Sequence, residues 1–506
     1  MHSTDSSRGT PFHCTLPGVL IIVATYAFVH ATTRLLASGN LGEDDVFDTL
    51  VVQHLQAGYS VDRGPLYDWA IWSIQQIAGN GLGGFLALKY ALLVAMAGAL
   101  FLTTRRLTGS PLWAFIAVES MATVYQIFWR FHEGFTHRVG AMALVALTLL
   151  AAYQAVDRQR LRDFLALGAL VGLGLLSEHI YTYFLLLFCI TGLFQPGLRQ
   201  RLLSPKLLAA LLLTVVIALP YGLWLTATPE RFGEFLAHLA PTRDAPSLAA
   251  SLRDAVTFPI FVLSPYVIIV VATFPRLFKA GWARPASAAA NGYDLQRWLG
   301  HLLALELLGH LLANGILFRQ ANYPVHSILP MLVIAIPWLT AAASQTAPTA
   351  KRLKVFMAIL LAFTITAYGV RSGNLFIYEP FCQRCRWGTP YEELAANIKA
   401  LGFTQGAIVT NDDHTGGNLR RFLPDTPILL VEHDKRVGLE PAPGTPLLFI
   451  WPNNKDSASI PGEFRPLLPA HIQAEPQTIR LPWHPPFKKP GYRHSSWAIV
   501  QVDARQ

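Results

Sequence analysis

The chain has 506 residues, of which 52% are hydrophobic and only 14% charged, with a mean hydropathy of +0.37. Soluble domains carry roughly 25% charged residues, so a soluble globular protein is excluded, as are a disordered chain, a collagen-like repeat and a disulfide-built secreted scaffold. The net charge of +9 does not signal a nucleic-acid binder, because most Lys and Arg stand in loops between apolar runs, where the positive-inside bias of membrane proteins places them.

Apolar runs near the length a membrane-crossing helix needs can be read at 17–36, 84–104, 112–128, 139–156, 163–176, 178–194, 207–226, 257–274, 299–317, 325–343 and 355–370. They predict a polytopic α-helical membrane protein of about 11 to 13 spans, the range reflecting the short, nearly continuous pair at 163–194. With alternating spans, Arg105, Arg106, Arg158, Arg160, Arg162, Arg199, Arg201, Lys206, Arg276, Lys279, Arg284, Arg297, Lys351, Arg352 and Lys354 collect on one side, which is expected to be cytoplasmic. The segments 37–83, 129–138, 227–256 and everything after 371 then face outward. The first run lacks a small-residue cleavage site and ends at Arg34 and Ser38, so it is expected to be a retained anchor.

The first outer segment, GNLGEDDVFDTLVVQHLQAGYSVDRGPLYDWAIW, is too patterned for a connector. Glu43, Asp44 and Asp45 suit the first turn of a helix, where the helix dipole favours carboxylates. Val46, Leu50, Val51 and Leu55 continue with helical spacing, and Gly58 is a natural stop. A second amphipathic helix begins at Gly64-Pro65 and carries Leu66, Trp69, Ala70 and Ile74, with Trp69 and Trp72 suited to the headgroup level. The three acids are either a solvated helix start or a membrane-proximal cluster. In the second case desolvation and mutual repulsion raise their affinity for protons, and one of them can deprotonate a hydroxyl.

In order, an N-terminal span, Leu41, Asp44, Asp45, Phe47, Gln53, Leu55, Gly58, Tyr59, Pro65, Leu66, Tyr67 and Trp69 resemble the polyprenyl-phosphate-sugar-dependent glycosyltransferases of the GT-C fold. The RgtA/B/C/D-like and 4-amino-4-deoxyarabinose transferases are the nearer branches, and the protein O-mannosyltransferases a more distant one. The resemblance implies a GT-C transmembrane domain over 1–370, with the loop 37–83 catalytic, and a small extracytoplasmic α/β domain over 371–506. It places Asp44 on the family's general base and Asp45 beside it, with Glu43 kept as the alternative register. The chain departs from the family in having Asp45 where Glu is usual and Gly64 where a first Pro is usual.

Further candidates follow along the chain. The second outer loop carries Arg130, His132, Glu133, His137 and Arg138; it is either an interfacial cap or, as in the family, part of the site lining. The spacing of His132 and His137 is not the i, i+4 of a helical zinc pair, so no metal is expected from them. Glu178 and His179 interrupt an apolar stretch, which is a functional signal in a membrane segment. The family often has Lys where this chain has Glu178, so a positive role at the lipid-linked phosphate passes to His179 or is absent. Arg319, followed by Tyr323, Pro324 and His326, resembles the basic pattern that binds the donor phosphate in the family, and the planar guanidinium suits such a site. Tyr59 and Tyr67 belong to the expected substrate-binding set.

Beyond 371 the pattern turns to β-type runs at 406–410, 427–432, 446–451 and 497–502, with one helix at 390–401. Cys382 and Cys385, just outside the last span, are expected to form a structural disulfide. The turn Asp412, Asp413, His414, Gly416, Gly417 either holds a ligand or is a polar strand-to-helix turn capped at Asn418.

The resulting expectation is an enzyme in the bacterial inner membrane, with its C-terminal domain periplasmic. It would transfer a hexose or pentose from a polyprenyl-phosphate carrier to a lipid, lipopolysaccharide or glycan acceptor, with inversion. A protein acceptor on the same fold is the alternative, and a transporter or lipid flippase the reading from another class. No cofactor is required; a divalent metal fits the acidic cluster, although the resembling branches mostly do without one.

Overall fold

A computed structural model describes residues 10–134, 136–238, 246–283, 293–317, 329–378, 381–382, 385–432, 435–453, 459–468, 475–484 and 493–502. Six helices are long and apolar enough to cross a membrane: Leu16–Ala37, Leu82–Thr108, Thr136–Arg158, Lys206–Leu225, Leu295–Leu317 and Ala350–Tyr378. Shorter apolar helices at Pro111–Met121, His179–Gly192 and Pro330–Gln345 complete the bundle with Leu161–Leu175. The boundaries have local causes. Thr15, Ser110 and Asp294 accept from the free amides of the helices they precede, and Gly109, in the left-handed region at φ 67°, ends the 82–108 helix after Arg105 and Arg106. The expected span 257–274 is divided instead, between Leu248–Leu263 and Tyr266–Thr273, because Pro265 interrupts the helical ladder.

Contacts between loops sort into two sets at opposite ends of the bundle. At one end Arg106 pairs with Asp157, Gln159 donates to the Arg201 carbonyl at 3.1 Å, and Gln195 exchanges hydrogen bonds with Asp294. At the other, residues 38–65 meet 131–137, 176–179 and 386–428. This is the alternation that the basic loops predict.

The C-terminal unit is a six-stranded sheet in the order β3-β2-β1-β4-β6-β5, formed by Ala407–Thr410 (β1), Ile428–Glu432 (β2), Lys435–Gly438 (β3), Leu447–Pro452 (β4), Gln477–Pro482 (β5) and His494–Val502 (β6). β1 pairs in parallel with β2 and β4, and the other pairings are antiparallel. Side chains alternate between two cores with the period of a strand. Ile408, Leu430, Leu448, Ile450 and Ile499 face helices Tyr391–Ala400 and Asp413–Phe422, and Val409, Leu429, Phe449 and Val500 face Phe464. The four expected strands correspond to β1, β2, β4 and β6. The two that the sequence did not reveal, β3 and β5, are the edges of the sheet, where polar residues and a terminal Pro are tolerated.

The first of these cores is not closed by its own domain. Leu50, from the first outer loop, is fully buried in it, and Phe47 packs alongside.

Candidate active site

The acidic triplet is divided by the start of one short helix, Asp44–Val51. Glu43 precedes it with φ 49° and is exposed, Asp44 is half-buried, and Asp45 is buried to 2%. Asp45 turns into the bundle, where Lys89 of the 82–108 helix brings its ammonium to 3.7 Å. Burial lifts the Asp45 carboxyl to about 6, with Lys89 limiting the rise. Gly134 approaches the acids from the second outer loop: a Cβ there would fall 2.8 Å from that of Glu43 and 3.3 Å from the Asp44 amide. The absence of a side chain at Gly134 is what lets the two outer loops meet over Asp44.

The helix is shorter than its apolar spacing predicts, ending at Val51 and not near Gly58. Gln53 is the reason: its amide donates to the Ile428 carbonyl at 2.6 Å and accepts from the Ile428 amide at 2.9 Å, fastening the loop to the start of β2. Gly58 instead receives the ring of Trp224. The second loop helix runs Leu66–Ala78, with Gly79 at φ 74° as its stop. Leu66 donates to the Leu176 carbonyl at 2.9 Å, and a Cβ on Gly64 would lie 2.9 Å from Leu176 Cα and nearer still to its carbonyl. The sequence's departure from the family at this position is thus a packing requirement.

The same helices bring together three groups not associated in the sequence. Asp48, one turn after Asp44, Asp68 and His137 are buried, with His137 Nε2 at 3.4 Å from Asp48 Oδ1 and 3.3 Å from Asp68 Oδ1. Asp48 also accepts from Arg63 at 3.0 Å and from the Thr136 hydroxyl at 2.6 Å. Burial pushes its carboxyl up, but His137 and Arg63 outweigh this and hold it at about 2. Tyr67 is buried with its ring centroid 5.0 Å from that of His137, and burial raises its phenol well above the usual range.

Other expected site residues hold the frame. Tyr59 donates to the His54 carbonyl and accepts from the Gln56 amide, closing the turn between the two helices. It lines a cavity of about 680 Å³ with Arg63, Trp224, Arg231 and Arg436. His179 bonds the Val61 carbonyl at 2.8 Å, and Glu178 is the half-buried residue that precedes its helix. Arg130 and Glu133 lie 3.6 Å apart at the surface, and burial raises the Glu133 carboxyl. His132 is buried and bonded at both ring nitrogens, to Tyr26 and Tyr90, while its carbonyl accepts from Arg371 at 2.8 Å. Arg319 and Tyr323 lie outside the described residues.

The 413–422 helix is the floor under the acids. Gly417 lets it approach the 44–51 helix so closely that a Cβ would be 2.8 Å from Val46 Cα. Asn418 accepts from the Leu41 amide at 2.8 Å and donates to its carbonyl at 3.2 Å. Arg420, buried, donates to Gln75 at 3.0 Å, to the Val52 carbonyl at 3.3 Å and to the Thr49 carbonyl. The turn 412–417 is therefore a docking element, capped by Asp412, which accepts from the Thr415 amide at 2.8 Å. Asp412 also pairs with Arg386 at 2.6 Å. Cys382 and Cys385 are disulfide-bonded.

Asp48, Asp68, Lys89 and Arg420 carried no motif, and Asn418, expected to cap the 412–417 turn, instead bonds Leu41 while Asp412 is the cap. Lys89 alone had a usable signal, as a charge inside an apolar run.

The chain is similar to known proteins along most of its length. Residues 62–224 match the family of dolichyl-phosphate-mannose-protein mannosyltransferases. The lipopolysaccharide core galacturonosyltransferase RgtA of Rhizobium johnstonii is 22% identical over 87% of each chain. RgtB of the same organism, a lipopolysaccharide core galacturonosyltransferase too, is 24% identical over 90% of this chain and 91% of its own. Among solved structures, ArnT from Cupriavidus metallidurans bound to undecaprenyl phosphate superposes with a TM-score of 0.62 at 13% identity, covering 95% of this chain and 98% of ArnT. Its apo state gives 0.59 at 14% identity over the same shares. The chain is a membrane glycosyltransferase of the GT-C fold, resembling the polyprenyl-phosphate-sugar-dependent branch.

Proposed function

We propose that the protein transfers one sugar from a polyprenyl-phosphate carrier to a lipopolysaccharide or related glycan acceptor at the periplasmic face of the inner membrane, with inversion and with Asp44 as general base. The observation that carries this reading is the division of the acidic triplet. Asp45 is turned to Lys89 inside the bundle and Glu43 points to solvent, whereas Asp44 is half-buried at the meeting of both outer loops and the C-terminal floor, where an acceptor hydroxyl can reach it.

In the proposed step, Asp44 removes the proton of an acceptor hydroxyl as its oxygen attacks the anomeric carbon, and the bond to the carrier phosphate breaks from the opposite face. The leaving phosphate needs cations. Arg63, on the loop between the two helices, and Arg319 are the groups proposed for that role. The acceptor class is supported by the two lipopolysaccharide core galacturonosyltransferases, similar along most of both chains. The family match at 62–224 carries the name of protein mannosyltransferases, so a protein acceptor is the reading to test beside it. The C-terminal unit, periplasmic in this reading, holds the helix that carries Asp44.

The test is sugar transfer in proteoliposomes supplied with labelled polyprenyl-phosphate sugars, uronic acids included, and with either lipopolysaccharide or unglycosylated periplasmic protein. Wild type is expected to label lipopolysaccharide, and Asp44→Asn to lose transfer by about 10²- to 10⁴-fold while Glu43→Gln keeps it. Label appearing in protein would move the acceptor assignment, and full activity in Asp44→Asn would overturn the base.

A further inference from the structure

We propose that Asp48, Asp68 and His137 form a binding site for a divalent transition metal of the zinc class, which ties the 44–51 and 66–78 helices to the 136–158 helix just beneath Asp44.

The geometry is that of a ligand set. One atom from each residue lies within 4.8 Å of the other two, and the His137 Nε2 separations are 3.4 and 3.3 Å. Around a tetrahedral ion with bonds of about 2.0 to 2.1 Å, neighbouring ligand atoms stand roughly 3.3 to 3.4 Å apart. All three side chains are at least nine-tenths buried.

A second, independent observation is the hydrogen bonding. Neither carboxylate oxygen of Asp68 and neither ring nitrogen of His137 has a hydrogen-bond partner among the described residues. A buried carboxylate left this way is costly unless a cation sits against it. His137 Nε2 faces both carboxylates at 3.4 and 3.3 Å, longer than a well-formed charge-assisted hydrogen bond, so the three ligand atoms are spaced for a shared central ion. The surroundings also fit: Thr136 and Arg63 both donate to Asp48 and fix its carboxylate, as outer-shell partners do for metal ligands. His132 takes no part, because both of its ring nitrogens are engaged by tyrosines. Two carboxylates match the charge of a divalent ion, with Arg63 beside Asp48 as a further positive charge, and one imidazole with two carboxylate oxygens suits zinc and its neighbours better than calcium or magnesium.

The site lies one helical turn from Asp44, so the ion would set the position of the catalytic helix whichever sugar is transferred. Its loss would act through geometry.

The experiment uses the full chain purified in detergent, stripped with a chelator at constant pH and titrated with Zn²⁺ or Co²⁺ alone. Wild type is expected to bind roughly one equivalent, to give the intense visible Co²⁺ absorption of a tetrahedral site, displaced by Zn²⁺, and to melt at higher temperature when loaded. Asp68→Asn and His137→Gln should each weaken binding on the order of a hundredfold or more, while Glu133→Gln, an acid outside the cluster, should bind as wild type does. A wild type with no Co²⁺ absorption and no metal-dependent shift in melting overturns the proposal, leaving the cluster as an imidazolium between two carboxylates. That titration decides the matter even if a variant fails to fold.

Discussion

Lys89 Nζ stands 3.7 Å from Asp45 Oδ1, and both side chains are almost completely buried, at 1% and 3% exposure. Removing one member of such a pair leaves an uncompensated charge away from water. Lys89→Met is therefore expected to destabilise the protein by about 3 to 5 kcal/mol. Thermal unfolding in detergent measures this, and adding Asp45→Asn to Lys89→Met should restore part of the loss. A double variant no more stable than Lys89→Met would show that the two residues are not coupled.

The same carboxyl predicts a pH dependence. Burial raises Asp45 from 3.8 to about 6, so the folded protein holds this proton more tightly than the unfolded chain does. The stabilisation from this group is complete below about pH 4 and is lost as the pH climbs through about 6. The difference corresponds to about 3 kcal/mol. Asp45→Asn has no proton to lose, and its stability relative to wild type should improve by about that amount between pH 4 and pH 8. Parallel curves for the two proteins across this range would refute it.

Arg420 joins the C-terminal unit to both helices of the first outer loop through Gln75, Val52 and Thr49. Replacing it with Met strands three buried acceptors. A loss of about 2 to 4 kcal/mol is expected, with new protease cleavage between 52 and 65. Unchanged proteolysis would mean that the loop is held by other contacts.

Gly64→Ala tests the docking of the second loop helix on Leu176. The added Cβ has no room against the Leu176 backbone, and a penalty of about 1 to 3 kcal/mol is expected. Because Asp68 and Tyr67 follow directly on this helix, transfer activity should fall by more than the loss of folded protein accounts for. Proportional losses would confine Gly64 to packing.

Much of the architecture was legible in the sequence because it rests on local causes. Hydropathy alone marks the apolar helices, basic residues mark the ends that gather together, and alternating Val, Leu and Ile mark the central strands. The edge strands β3 and β5 escaped because an edge needs no continuous apolar pattern. The premature end of the 44–51 helix escaped because Gln53 answers to Ile428, far away in sequence. The acids at 43–45 could be seen as a cluster, but which of them turns inward is decided by Lys89 on another helix. Nothing in the sequence singles out Asp48 or Asp68, His137 suits an interfacial cap or part of the site lining, and only the packing of three helices makes them neighbours.

Leu50 and Phe47 lie in the hydrophobic core of a sheet whose last strand ends at Val502. The helix that begins with Asp44 thus packs on a surface completed by residues made more than four hundred positions later. Until β6 has paired, this helix lacks one of the surfaces it packs on, so a nascent chain would hold its acids in an unfinished site. A protein shortened before β6 should insert its helices and still be inert, with the defect felt at Asp44, more than four hundred residues upstream of the missing strand.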